Sequence, residues 1–90
     1  MENNEFNPDW CSAPGDTIID ILHDRGISIH DFANGIHLDL DKTNELLIGD
    51  YEIDDTLAFT LGQYFGNSGQ FWINREKRYR EGLKKGLKRI

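Results

Sequence analysis

The segment from Ser28 to Gly49, SIHDFANGIHLDLDKTNELLIG, decides the fold because its pattern predicts two short helices and a turn. Ser28 is the expected N-cap of the first helix, which ends near Asn34 or Gly35. Asp39 is the expected N-cap of the second helix, and Gly49 supplies the left-handed residue that ends it. Two short helices joined by such a turn form a helix-turn-helix unit.

Three further helices are predicted around this unit. One covers about 14–25, because Pro14 suits a first helical position and Gly26 suits a helix end. Asp54 and Ser68 are the expected N-caps of a fourth and a fifth helix. Alternation of apolar and polar residues never persists, so no strand is predicted. The spacing predicts that the fifth helix continues to the end of the chain, with apolar positions at Leu83, Leu87 and Ile90.

The sequence therefore predicts an all-α fold of five helices, with an N-terminal arm and a basic C-terminal helix. The expected organisation is an arm over 1–13, a helix-turn-helix domain over 14–83, and a basic tail over 84–90 that continues the last helix. Aromatic residues are expected to form either the core or a dimer interface. These are Trp10, Phe71, Trp72 and Tyr79.

Several short motifs carry a resemblance to a known family. They are PGDTI at 14–18, DRGIS at 24–28, NELLIG at 44–49, and FWINRE at 71–76 with RYRE at 78–81. With these motifs the chain resembles the HigA-type antitoxins of the XRE helix-turn-helix family, from about Pro8 to Leu83. The resemblance implies a λ-repressor-like domain that dimerises, binds an operator through its third helix, and in toxin–antitoxin modules neutralises a ribonuclease toxin.

The third helix would then face the DNA groove with Leu40, Asp41, Lys42 and Glu45. Lys42 is the best candidate for a contact to a base or a phosphate. The chain departs from the family here, because members usually carry Ser at the cap followed by basic or amide residues. His37 also stands where the family's turn often has Gly.

The acids of this region support an alternative function. Asp39 and Asp54 are explained as N-caps, but the remaining acids are not. An acidic interaction module or inhibitor, including a phage-encoded one, could keep the scaffold, lose specific DNA binding and bind a basic protein partner. Its partner face would comprise Asp39, Asp41, Asp50, Glu52 and Asp55.

Charge is divided unevenly along the chain, whose 90 residues have a formal net charge of −6. Residues 1–74 hold 14 acids and two bases, whereas residues 75–90 hold eight bases and two acids. The bases either complement the helix dipole or contact phosphate, a second subunit or another partner. The predicted contact residues of this basic tail are Lys77, Arg78, Arg80, Lys84, Lys85, Lys88 and Arg89.

No enzymatic chemistry is predicted. His23, His30 and His37 lack the spacing of a helical metal pair, and the single Cys11 has no metal-spaced partner, so neither a metal nor a cofactor is expected. No apolar run is long enough to span a membrane, and no small-molecule substrate is indicated. We expect a cytoplasmic homodimer whose partner is operator DNA or a toxin or other basic protein.

Overall fold

The computed structural model describes residues 10–86 and 88–89. Four of the five helices begin after a residue whose side chain caps the first turn, the first helix begins at Pro14, and three helices end at a glycine in a left-handed conformation. The elements in chain order are β1 (Trp10–Cys11), α1 (Pro14–Arg25), α2 (Ile29–Gly35), α3 (Leu40–Ile48), α4 (Asp55–Phe65), α5 (Gly69–Lys84) and β2 (Lys88–Arg89). The prediction of five helices in an all-α domain is confirmed.

The predicted caps form hydrogen bonds of ordinary length. Asp39 Oδ1 accepts from the Lys42 amide at 2.8 Å, and Asp54 Oδ1 accepts from the Leu57 amide at 2.8 Å. Ser28 Oγ accepts in the same way from the amide at position 31. Each such cap satisfies an amide that the helix itself leaves unpaired, which is why the helix starts were predictable.

Aromatic rings from three helices form the centre of the core. Phe65 of α4 lies between Phe32 of α2 and Trp72 of α5, with ring centroids 5.5 and 5.6 Å away. The Trp72 ring is fully buried, and its Nε1 donates to Asn67 Oδ1 at 2.8 Å. This hydrogen bond satisfies the one polar atom of the indole, so the ring can occupy the core without an unpaired donor.

The prediction that the fifth helix continues through the tail is wrong. The helix ends at Lys84, and Gly86 follows with a φ of +82°. Glycine at 82 and 86 weakens the helix, and Gly86 accommodates a left-handed turn without steric cost. Lys88–Arg89 then forms a strand, while Leu87 and Ile90 lie outside the described residues.

The prediction that the chain forms no strand is also wrong. The arm residues Trp10 and Cys11 pair in parallel with Lys88 and Arg89. Two residues are too few to give an alternating pattern, and the partners are far apart in sequence, so no local signal predicts this pairing. The rest of the predicted arm, residues 1–9, lies outside the described residues.

The C-terminal end of α3 is enclosed by α1 and α5. Gly15 of α1 lies so close to α3 that a Cβ atom would stand 2.6 Å from Leu47 Cα. A Cβ at Gly49 would stand 2.7 Å from the Tyr79 hydroxyl of α5 and 2.9 Å from Ala13 Cβ. We call this contact of Ala13–Gly15, Leu47–Gly49 and α5 the α3 clasp.

Two arginines of α5 complete the α3 clasp. One terminal nitrogen of Arg75 donates to the Ala13 carbonyl at 3.1 Å and to Thr17 Oγ1 at 3.0 Å. Arg80 donates through Nε to Glu76 Oε2 at 2.7 Å and through a terminal nitrogen to the Gly49 carbonyl at 3.2 Å. Burial lowers the pKa of Arg75, an effect that nearby Asp16 opposes. The charged side chains therefore connect α1, α3 and α5.

Replacement of Gly15 tests the close approach within the α3 clasp. Helix propensity alone predicts that Gly15→Ala stabilises α1. Because the new Cβ meets the Leu47 backbone, we instead expect the free energy of unfolding to fall by about 3 kcal/mol. Urea unfolding followed by circular dichroism measures the change.

Gly26→Ala is the matched control for Gly15→Ala. A Cβ at Gly26 meets nothing within 4 Å, although the residue has a φ of +66°. Only the cost of the left-handed conformation applies there, about 1 kcal/mol. If the Gly15→Ala variant is as stable as the natural chain, Gly15 does not lie in close contact with the Leu47 backbone.

Candidate nucleic-acid interface

The α3 clasp leaves the opposite, N-terminal end of α3 exposed. Thr43, Leu46 and Leu47 are buried and hold the helix against its neighbours. The predicted groove-facing side chains are exposed, and Leu40 has an exposed fraction of 39%. The structure brings them together on the outward side of α3; they are Leu40, Asp41, Lys42 and Glu45.

Negative charge predominates on this exposed surface. Lys42 Nζ lies 4.0 Å from Asp39 Oδ2, and both side chains are more than half exposed. Such a pair contributes little stability, but it places an anion beside the only cation of α3. Asp41 and Glu45 are exposed and form no ion pair within the described residues. The outward side of α3 with its cap therefore carries three acids and one base.

A second group of acids lies between α3 and the first turn of α4. Asp50, Glu52 and Asp55 are exposed, and none forms an ion pair within residues 10–86. Asp54 is also exposed, but its carboxylate caps α4. Capping therefore accounts for Asp39 and Asp54, and Asp41 and Asp55 lie in first turns, where negative charge complements the helix dipole. Asp50 and Glu52 lie outside the helices and have neither role.

The turn between α2 and α3 contains a strained residue. His37 has a φ of +59°, and it is the one non-glycine residue with a positive φ in the described part of the chain. Its amide and that of Leu38 donate to carbonyls of α2, at 3.3 and 3.1 Å. The family's frequent glycine at this place fits the left-handed conformation that the turn requires.

Paired substitutions test the strain at His37. We expect His37→Gly to be more stable than His37→Ala by about 1 kcal/mol, because only glycine adopts a left-handed conformation freely. At exposed Asp20, inside α1, the order should reverse, with Asp20→Ala more stable than Asp20→Gly by about 1 kcal/mol. Urea denaturation of the four variants measures both differences. The same order at both positions would be inconsistent with the left-handed turn.

The predicted basic contact residues fall into three groups. The first is exposed on α5 or just beyond it and comprises Lys77, Arg78, Lys84 and Lys85. Arg80 is half-buried, and its guanidinium binds Glu76 and the Gly49 carbonyl, so its place in the α3 clasp corrects its assignment to a free surface. Lys88 and Arg89 are described through their backbone pairing alone.

The four aromatic residues that were expected in the core or a dimer interface differ in burial. Trp72 and Tyr79 are buried and belong to the core or the α3 clasp. Phe71 is 40% exposed, because it lies one residue before buried Trp72 and therefore about 100° around the helix from the buried side of α5. Trp10 is described through its backbone pairing. Phe71 is therefore the aromatic residue of this set that the structure leaves at the surface of α5.

The motif FWINRE at 71–76 has mainly a structural role. Trp72 fills the core, and Arg75 and Glu76 hold the α3 clasp. Sequence reasoning did not assign this role to Arg75 or Arg80. The four-residue spacing of Glu76 and Arg80 is typical of a helical ion pair and is the signal that could have identified it, but no local signal indicates that Arg80 reaches Gly49.

The described residues contain no group of three His, Cys, Asp or Glu side chains that could hold a metal ion. Among the helices of the described residues, none is both long and apolar enough to cross a lipid bilayer.

Two solved structures superpose on this chain over most of their length. A candidate antidote protein of a plasmid maintenance system from Nostoc punctiforme superposes with a TM-score of 0.76 and 28% identity, covering 80% of this chain and 79% of that one. An addiction module antidote protein of the HigA family from Coxiella burnetii gives a TM-score of 0.70, covering 80% and 82%. The identity to the second is 24%, so that likeness concerns the fold alone.

Two curated proteins share sequence with the chain. An uncharacterised helix-turn-helix transcriptional regulator of Escherichia coli, YddM, is 30% identical over 61 residues, which make up 68% of this chain and 65% of YddM. Virulence-associated protein I of Dichelobacter nodosus is 31% identical over 58 residues, or 64% of this chain and 54% of that protein. The matches thus span less than two thirds of either relative, and no protein-family model matches.

These similarities confirm the resemblance to helix-turn-helix regulators and antidote proteins. The named relatives are a transcriptional regulator, a virulence-associated protein and two antidote proteins, and none of them is described as an enzyme. They do not favour the alternative of an acidic module that has lost DNA binding.

Proposed function

We propose that this HigA-like helix-turn-helix protein binds operator DNA and acts as a transcriptional regulator of the antitoxin type. The exposed N-terminal half of α3 carries the proposal, because a recognition helix contacts bases from that end. The relatives support it, since one is described as a transcriptional regulator and two as antidote proteins.

The side chains of α3 suggest how an operator would be read. Leu40 can contact the methyl group of thymine, and Lys42 can donate to guanine or a phosphate. Asp41 and Glu45 can accept a hydrogen bond from the amino group of cytosine. Because three acids oppose one base, α3 itself would contribute to affinity through base contacts more than through attraction to phosphate.

Dimerisation and toxin binding form part of the proposal. A homodimer would present two copies of α3 to a two-fold symmetric operator. The acids Asp50, Glu52 and Asp55 are available for a basic toxin. Operator binding takes place in the cytoplasm, so the proposal includes the predicted localisation.

Capture of genomic DNA fragments by the purified chain tests operator binding. At about 50 mM salt we expect one pseudo-palindromic site to be enriched, with half-sites about one helical turn apart, because each subunit of a dimer places one α3 in the major groove. Sequencing of the captured fragments identifies the site. If no site is enriched at this salt concentration, the proposed function is wrong.

Replacement of Asp41 tests base reading by α3. We expect Asp41→Ala to lower the ratio of operator affinity to mixed-sequence affinity about tenfold, because a cytosine acceptor is lost. Fluorescence anisotropy with the two duplexes measures this ratio. Asp20→Ala removes an exposed acid from α1 and should leave the ratio unchanged. Equal ratios for the two variants would show that Asp41 does not face the groove.

A further inference from the structure

We propose that the outward face of α5 binds the phosphate backbone of DNA and supplies the electrostatic affinity that α3 lacks. The proposal rests on the proposed function in one respect, namely that DNA is the partner. It assigns the phosphate contacts to a helix outside the helix-turn-helix unit. The residues of this α5 face are Phe71, Asn74, Lys77, Arg78, Lys84 and Lys85.

The cations of the α5 face are free of acidic partners. The side chains of Lys77, Arg78, Lys84 and Lys85 are exposed and form no hydrogen bond or ion pair within the described part of the chain. Glu81 is the single acid among them. The face is therefore strongly positive and can replace the counterions of a phosphate chain.

Helical geometry arranges these cations in two rows. Lys77 and Lys84 are seven residues apart, as are Arg78 and Lys85, so each pair lies on nearly the same side of α5. Seven residues of helix cover about 10.5 Å along the axis. This length is close to the rise of about three base pairs of B-DNA, about 10 Å. The cations of each row are therefore separated by about the axial rise of three base pairs.

The helix dipole does not account for all of these cations. Lys84 and Lys85 lie at the C-terminal end of α5, where positive charge complements the dipole. Lys77 and Arg78 lie near the middle of the helix, beyond the last turn to which this effect is confined. Neither takes part in the α3 clasp, in contrast to Arg75 and Arg80.

A shallow cavity extends the α5 face toward the start of the helix. It has a volume of about 170 Å³ and is lined by Phe71, Asn74, Arg75 and Arg78. The exposed part of the Phe71 ring offers an apolar surface for a sugar, beside the guanidinium of Arg78. A positive surface next to an exposed aromatic ring and an amide suits a sugar–phosphate chain.

Binding to a mixed-sequence 30-base-pair duplex without the operator tests this assignment. Fluorescence anisotropy of the full chain over about 50–200 mM salt gives the slope of log affinity against log salt. Four phosphate contacts per protomer predict a slope of about −3.6, and each of Lys77→Ala and Arg78→Ala should weaken the slope by about 1. The double variant should bind at least tenfold more weakly at about 50 mM salt.

Lys42→Ala is the matched control, since it removes one exposed lysine from α3. We expect it to change the slope less than either α5 variant, because Asp39 lies beside this cation. Urea unfolding verifies that the variants remain folded. A wild-type slope near zero, unchanged slopes in both α5 variants, or a larger effect of Lys42→Ala would overturn the proposal.

A competition experiment distinguishes DNA from an acidic protein surface as the ligand of the α5 face. Polyglutamate at the same charge concentration should displace the duplex poorly, and equal displacement would overturn the assignment to phosphate. The outcome is also distinct from that of the operator capture. Loss of operator enrichment with intact α5-dependent duplex binding would contradict the proposed function alone, whereas an enriched operator with unchanged α5 variants would contradict this inference alone.

Discussion

The α3 clasp is the contact on which the rest of the structure depends. At its centre the backbones of α1 and α3 approach so closely that position 15 has no room for a side chain. Arg75 and Arg80 reach this contact from α5 and bind the carbonyls of Ala13 and Gly49. Buried carbonyls need such partners, so the arginines satisfy the backbone at the place where three elements meet.

Because α3 is held at its C-terminal end, its N-terminal end can change in sequence without loss of the fold. The family-like motifs at Gly15, Gly49 and 71–76 contribute to the α3 clasp or the core. The residues that depart from the family, Asp39 to Lys42, lie on the exposed end. Resemblance to the family therefore reports on the scaffold, whereas the identity of a bound partner depends on the residues that differ.

The two sides of α5 have separate tasks. Inward residues such as Trp72, Arg75 and Tyr79 pack against the core or hold the α3 clasp. The outward side carries Lys77 and Arg78, whose side chains form no hydrogen bond or ion pair in the described part of the chain. One helix can thus stabilise the domain and present a charged surface, since its two sides face different surroundings. In the proposed complex with DNA, the acids of α3 would contact bases and the cations of α5 would contact phosphates.

Sequence by itself determined the five helices, their caps and the helix-turn-helix order. Those features depend on hydrogen bonds between residues a few positions apart, as from Asp39 to the Lys42 amide. Only the tertiary structure decided that Arg80 is committed to Gly49, that Phe71 is exposed, and that the chain beyond Lys84 turns back to pair with β1. Those outcomes join residues far apart in sequence, and their energies depend on which surfaces meet after the helices have packed.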